Sequence, residues 1–184
     1  MTTVFTIGHG TRSTKELVAT LSAAGVGRLL DVRRFPGSRR HPHFAREALE
    51  RSLPAHGIAY EWWGEELGGR RGAPSGHPTR HGALTNKSFQ SYADYMDSST
   101  FRDALARLES AAAGGPPLAI MCAETLWWRC HRRMIADALT LRVVTVVHLI
   151  HPRSRQEHRL HPAARSDDDG RPVYDVGSTG QLAL

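Results

Sequence analysis

The chain predicts an α/β fold: a single three-layer domain, with a mostly parallel sheet of about five strands and helices on both faces. Three observations predict it. Short apolar runs recur at Val4–Ile7, Arg28–Arg33, Ile58–Trp62, Leu118–Met121 and Val143–Ile150. Amphipathic stretches at helical spacing separate most of them, the alternation of a parallel sheet with crossover helices. And 184 residues, 40% hydrophobic and 23% charged, suit one globular domain, taken as residues 1–184.

Val4–Ile7 is the first strand, and Gly8-His9-Gly10 a tight loop after it. Ser13 and Glu16 have capping-box spacing, Leu17, Val18, Leu21 and Ala24 follow at helical intervals, and Gly25 is a stop. In Arg28–Arg33, Leu29, Leu30 and Val32 suit a buried strand with Asp31 near its end. The loop FPGSRRHPHF comes next, where Pro36 and Gly37 exclude regular structure. With Arg33 and Arg34 before it, this is the densest basic run of the chain, holding Arg39, Arg40, His41 and His43. A solvated loop is the plain reading, and an anion clamp following a strand end is the functional one.

Ala45–Leu53 reads as a helix and Ile58–Trp62 as a strand. Residues 63–86 lack periodicity and are rich in Gly, Pro, His and Arg, which predicts a long functional or mobile loop. Ser88–Met96 and Phe101–Ala112 are helices, the second capped by Ser99 or Thr100. Residues 151–184 form a polar extension, with a turn at Asp167–Gly170 and a short edge strand at Val173–Val176.

The stretch richest in chemistry is Pro117–Leu139, PLAIMCAETLWWRCHRRMIADAL. A buried strand ends at Cys122 and a helix opens near Arg132, with Glu124, Trp127, Trp128, Arg129, Cys130 and His131 between them. Parallel sheets open their ligand crevices where strands end and helices begin. If the strands are parallel, that edge collects His9, Asp31, Arg33, Arg34, Cys122 and Glu124.

The formal net charge is +6, carried almost wholly by arginine, since lysine occurs only at Lys15 and Lys87. An arginine-rich surface suits phosphate, although such a bias also arises without any ligand. No apolar run reaches membrane-spanning length, and the N-terminal residues lack a basic region followed by an apolar signal core. A cytoplasmic protein with no membrane partner is expected. Two cysteines are too few for a disulfide framework and are expected as free thiols.

Thr6–Ser13 (TIGHGTRS), Leu29–Arg40 (LLDVRRFPGSRR), Glu66–Arg71 (ELGGRR) and Met121–Leu139 resemble the domain-of-unknown-function 488 family in order and spacing, from about Thr3 to His148. Trp127-Trp128 depart from that family's usual block and mark a subgroup. The resemblance implies an α/β fold of this size and no particular activity. A fainter likeness is to rhodanese domains, through Asp-Val-Arg after an early strand. Six residues stand between Cys122 and Arg129, whereas the Cys-x5-Arg phosphate loop of tyrosine phosphatases needs five.

Four chemistries compete. The first is an enzyme on nucleic acid or nucleotides, a hydrolase of the base–sugar bond resembling a DNA glycosylase. Glu124 and Asp31 would act as its acid–base pair. Arg33, Arg34, Arg39, Arg40, Arg70 and Arg71 would clamp phosphate, and Tyr60, Trp62, Trp127 or Trp128 would stack on a base. His9, His131 and Arg132 would hold an anion. The second is thiol chemistry at Cys122 on a small anionic substrate, with a buried inert thiol as its competitor. The third is a metal held by Cys122, Cys130 and His131 with His9; Cys-x7-Cys-His is not a standard spacing, and no metal or other cofactor is expected. The fourth is a non-catalytic nucleic-acid-binding module. We adopt the first, with a nucleic acid or nucleotide as partner and the oligomeric state open.

Overall fold

In the computed structural model, residues 2–37, 40–72 and 78–177 are described. The strand β1 (Thr3–Gly8) is followed by helix α1 (Thr14–Ala23). Ser13 caps α1 by accepting from the Glu16 N–H at 3.2 Å, while Glu16 accepts from the Ser13 N–H at 2.7 Å, the reciprocal box that the spacing predicts. Next come β2 (Arg28–Asp31), α2 (Arg46–Ser52), β3 (Ala59–Trp62) and a one-turn helix α3 (Gly64–Leu67). Two longer helices follow, α4 (Lys87–Met96) and α5 (Ser99–Gly114). The cap of α5 is Ser98, one residue before the expected pair, and it accepts from the Phe101 N–H at 3.2 Å. After β4 (Leu118–Cys122) and α6 (Arg132–Leu141) the chain closes with β5 (Thr145–His151), β6 (Ser154–Glu157), β7 (Ala164–Ser166) and β8 (Pro172–Tyr174).

The sheet runs β3-β2-β4-β1-β5-β6. Its first five strands are parallel, and β6 turns back antiparallel on β5. Five strands were expected; the sixth, SRQE, is polar and exposed, so it carries no apolar pattern. The strand expected at Val173 exists as β8 but pairs with β7 in a separate ribbon. Residues 63–86 hold α3, and Trp63, Leu67, His81 and Leu84 are buried there.

Strand alternation divides the core between two faces. In β4, Leu118, Ile120 and Cys122 join one cluster, with Val146, Phe101, Leu105, Leu108, Met134 and Ile135. Ala119 and Met121 join the other, with Leu17, Leu21, Phe44, Leu49 and Leu149. Helices α4, α5 and α6 thus cover one face, and α1 and α2 the other. The connection leaving β1 goes to one face and that leaving β4 goes to the other. These two strands are adjacent, so the sheet's switch point lies between their C-terminal ends.

Beneath α6 runs a buried string of hydrogen bonds. Arg132 Nη1 donates to Thr6 Oγ1 at 3.2 Å, and Thr6 Oγ1 meets His148 Nδ1 at 2.7 Å. His148 Nε2 meets His158 Nδ1 at 3.0 Å, and His158 Nε2 meets Asp137 Oδ1 at 2.9 Å. Asp137 also accepts from the Tyr174 hydroxyl and the His161 N–H, both at 2.9 Å. Since Asp137 only accepts, His158 donates to it from Nε2, and each link behind follows in one direction. The chain beyond His151, expected to be a polar extension, is thereby fastened into the core through His158 and Tyr174.

Burial, followed by the neighbouring His158, holds the His148 imidazole down at about 3. A depressed histidine contributes stability above its unfolded value of 6.5, lost progressively as pH falls through that value toward 3. The unfolding midpoint should therefore drop on acidification between pH 6.5 and about 5, and His148→Gln should flatten that slope. Equal slopes in denaturant titrations of the two proteins would contradict the buried neutral imidazole.

Candidate functional site

A cavity of 790 Å³ opens at the switch point. Its wall comes from five places: the loop after β1 (His9, Gly10, Thr11), the basic loop after β2, Gly69 and Arg70 after α3, the N-terminal half of α4 with Phe89 and Tyr92, and the segment Cys122–His131. The last segment leaves β4 as extended chain. The His9 N–H donates to the Cys122 carbonyl and the Gly10 N–H to that of Ala123, both at 2.9 Å. These two bonds continue the β1–β4 pairing past the strands and fix Glu124 at the cavity. Gly8 must lack a side chain, because a Cβ there would run into the Glu124 carbonyl and the Arg132 guanidinium.

Arg132 was expected to grip a ligand anion, and it does not reach the cavity. It is 1% exposed. Its Nε donates to Cys122 Sγ at 3.2 Å, its Nη1 to Thr6, and its Nη2 to the Glu124 carbonyl. Burial, with the Arg12 charge adding to it, lowers its pKa to about 9. It is a strut joining β1, β4 and the Glu124 turn.

Asp31 and Arg33 form a second buried pair. Arg33 Nε meets Asp31 Oδ1 at 2.8 Å, and the Tyr60 hydroxyl donates to Oδ2 at 2.7 Å. Burial and the Asp31 carboxylate push the Tyr60 phenol upward. Asp31 is fully buried, saturated with donors and off the cavity wall, so the expected Glu124–Asp31 acid–base pair is reduced to Glu124. Arg33 touches the cavity but is tied to Asp31 and to the Phe44 carbonyl.

His9 has both ring nitrogens committed: Nδ1 donates to the Gly10 carbonyl at 2.9 Å, and Nε2 accepts from Arg33 at 3.2 Å. Burial, then Arg33, brings its pKa down to about 4. His131 is similarly lowered to about 4 by burial, and its Nε2 meets the Val32 carbonyl at 3.0 Å. A carbonyl only accepts, so Nε2 carries the proton and Nδ1 keeps its lone pair.

The cysteines are not the separate free thiols expected. Cys122 and Cys130 lie eight positions apart with their sulfurs in contact at the cavity floor. Cys130 Sγ also accepts from the Arg132 N–H at 3.4 Å, capping α6 where its own residue His131 offers no side-chain cap.

The tryptophans sit elsewhere. Trp127 stacks on His148 at 4.1 Å and 8° and donates to Gln156 at 3.2 Å; Trp128 is exposed, and neither lines the cavity. Tyr60 and Trp62 are also off its wall. Arg71 lies over the Tyr95 ring at 3.8 Å and donates to the Gly68 carbonyl, so it braces the chain rather than clamping a ligand. Arg39 lies outside the described residues. Among the described residues, the arginines that line the cavity besides Arg33 are Arg34, Arg40, Arg70 and Arg129, with Glu124 as the carboxylate. Phe35 at the rim is 64% exposed, and the ring of Phe89 adds a second apolar surface. Phe35, Phe89, Tyr92 and Arg129 were missed as site residues. Phe35 carried a signal, an aromatic inside a basic loop; Phe89 and Tyr92 read only as helix core.

The geometry defines an open, mostly parallel α/β protein with an arginine-lined crevice at its switch point. No helix of the described residues is long and apolar enough to cross a membrane. The profile described as "Domain of unknown function DUF488" matches residues 13–139, and the chain belongs to that family. No curated protein and no solved structure matches the chain.

Lysine at position 132 would keep a charge but present its donors from one nitrogen, unable to serve acceptors in three directions. Arg132→Lys should lower stability by about 1.5–3 kcal/mol in urea titration and speed amide exchange at Ala123–Thr125. An unchanged midpoint would remove Arg132 from its role as strut.

Proposed function

We propose that the protein is an enzyme acting on nucleic acid or nucleotides, a hydrolase that cleaves a base–sugar bond in the cavity between β1 and β4. The observation that carries this reading is the lining: among the described residues, five arginines and one carboxylate surround 790 Å³ at the switch point. Guanidinium groups favour phosphate oxygens. A cavity of this size suits a nucleotide-sized ligand. Phe35 offers an exposed ring for a base, a contact that contributes roughly 1–3 kcal/mol.

The chemistry follows from Glu124 as the carboxylate available there. Its charge stabilises the positive sugar that develops as the C1′–N bond breaks and the bonding pair leaves with the base. Glu124 then takes a proton from the water that attacks C1′. The proton passes to the departed base, so the sum is base–sugar plus water giving free base and sugar hydroxyl. Cytoplasmic residence belongs to the same reading.

End-labelled oligonucleotides, each with one modified base in single- or double-stranded form, test this by alkaline cleavage after incubation. Breaks at one modified base are expected, and Glu124→Gln should abolish them while DNA binding persists. Arg40→Ala and Arg129→Ala should each weaken binding and reduce the salt slope by about 1. Tight binding with no breaks in any member would replace the enzyme with a binding module. Neither binding nor breaks would end the nucleic-acid reading.

A further inference from the structure

The cavity floor carries a feature that base–sugar hydrolysis leaves unused. Cys122 Sγ, Cys130 Sγ and a nitrogen of His131 all lie within 4.8 Å of one another. We propose that these three side chains bind a thiophilic divalent cation of the zinc class, with the fourth coordination position open to the cavity.

Four observations carry this. The first is the state of His131. Its Nε2–H is given to the Val32 carbonyl, which leaves Nδ1 unprotonated and aimed at Cys130 Sγ at 3.5 Å. Metal-binding histidines are oriented in this way, one nitrogen donating to a carbonyl and the other free for the ion. The second is the treatment of the sulfurs. Cys122 Sγ accepts from the Arg132 guanidinium at 3.2 Å and Cys130 Sγ from the Arg132 backbone N–H at 3.4 Å. Both sulfurs are thus held in place by N–H donors of Arg132, the kind of outer contact that orients metal-ligating groups.

The third is reach. The Cα atoms of the two cysteines are 7.8 Å apart. Once reduced, sulfurs carried on a backbone this far apart can stand on either side of an ion while both still face His131 Nδ1. The fourth is clearance. Gly69 has no side chain beside His131, where a Cβ would stand 2.9 Å from Nδ1.

Two thiolates and an imidazole select zinc-class ions over magnesium or calcium. His9, the expected fourth ligand, is committed to Gly10 and Arg33, so the described residues supply three donors. All three line the cavity, the pattern of a site that keeps one position for water or substrate. Binding by the reduced chain releases two thiol protons and forms two metal–sulfur bonds and one metal–nitrogen bond. A chain with the two sulfurs bonded must first take two electrons and two protons from a dithiol.

The test uses full-length protein reduced by a dithiol, stripped of metal and titrated with cobalt(II) without oxygen. Expected are one equivalent bound, sulfur-to-cobalt charge-transfer absorption, visible bands of four-coordinate cobalt, and displacement by zinc. Cys122→Ser and Cys130→Ser should each lose most of the charge-transfer absorption. His131→Gln should weaken binding by at least about tenfold while keeping it. Gly69→Ala, which leaves every donor in place, should weaken binding by crowding Nδ1 and guards against cysteine variants that fail to fold. Absence of the bands in the folded, reduced wild type would overturn the proposal, as would full bands in folded Cys122→Ser. These readouts involve no nucleic acid, so the site stands or falls apart from base–sugar cleavage.

Discussion

The buried guanidinium of Arg132 is the interaction on which the site's geometry depends. A positive charge removed from water is costly unless every donor is used. Here its donors meet a cysteine sulfur, a hydroxyl and a backbone carbonyl, from β4, β1 and the turn after β4. No two of those acceptors belong to one element, so satisfying the charge draws all three elements together. Gly8 completes the arrangement by letting the Glu124 carbonyl approach β1 without a Cβ between them. The position of Glu124 is therefore set by a residue that never faces the cavity.

This explains which parts of the molecule were legible in the sequence. The parallel strands were, because strands buried on both faces read as continuous apolar runs, as in Leu118–Cys122. The sixth strand was not, since SRQE at an exposed edge buries nothing. The place of the cavity was legible too, from strands ending at Gly8 and Cys122. Roles within it were not. Asp31 and Arg33 looked like catalytic and binding groups, but their charges are spent on each other, which only three-dimensional proximity reveals. Trp127 looked like a platform for a base, yet its neighbour is His148, 21 positions later in sequence, brought there by the β1–β5 pairing. The arginines divide in the same way: Arg33, Arg71 and Arg132 are tied to other groups of the protein, while Arg34, Arg40, Arg70 and Arg129 join Arg33 on the cavity wall.

The two histidines nearest the cavity floor share a design with different outcomes. Both donate one N–H to a backbone carbonyl, His9 to Gly10 and His131 to Val32. His9 then spends its second nitrogen on Arg33, while His131 turns its second toward sulfur. Adjacent Cys130 and His131 reach one point because the backbone changes from extended at Cys130 (ψ 153°) to helical at His131 (ψ −18°). A spacing rule drawn from sequence does not register that change of direction at the mouth of a helix.

The buried string from Arg132 to Asp137 has one further property. One end is a group that can only donate, and the other is a carboxylate that accepts from three partners. Every hydroxyl and imidazole between them is compelled to point the same way. A Grotthuss-type relay must be able to invert its polarity after each passage, and this string is locked at both termini. His148 and His158, which as a buried pair invite a role in carrying protons, are instead a truss. They hold β5 and the chain after it under α6 and transmit position rather than charge.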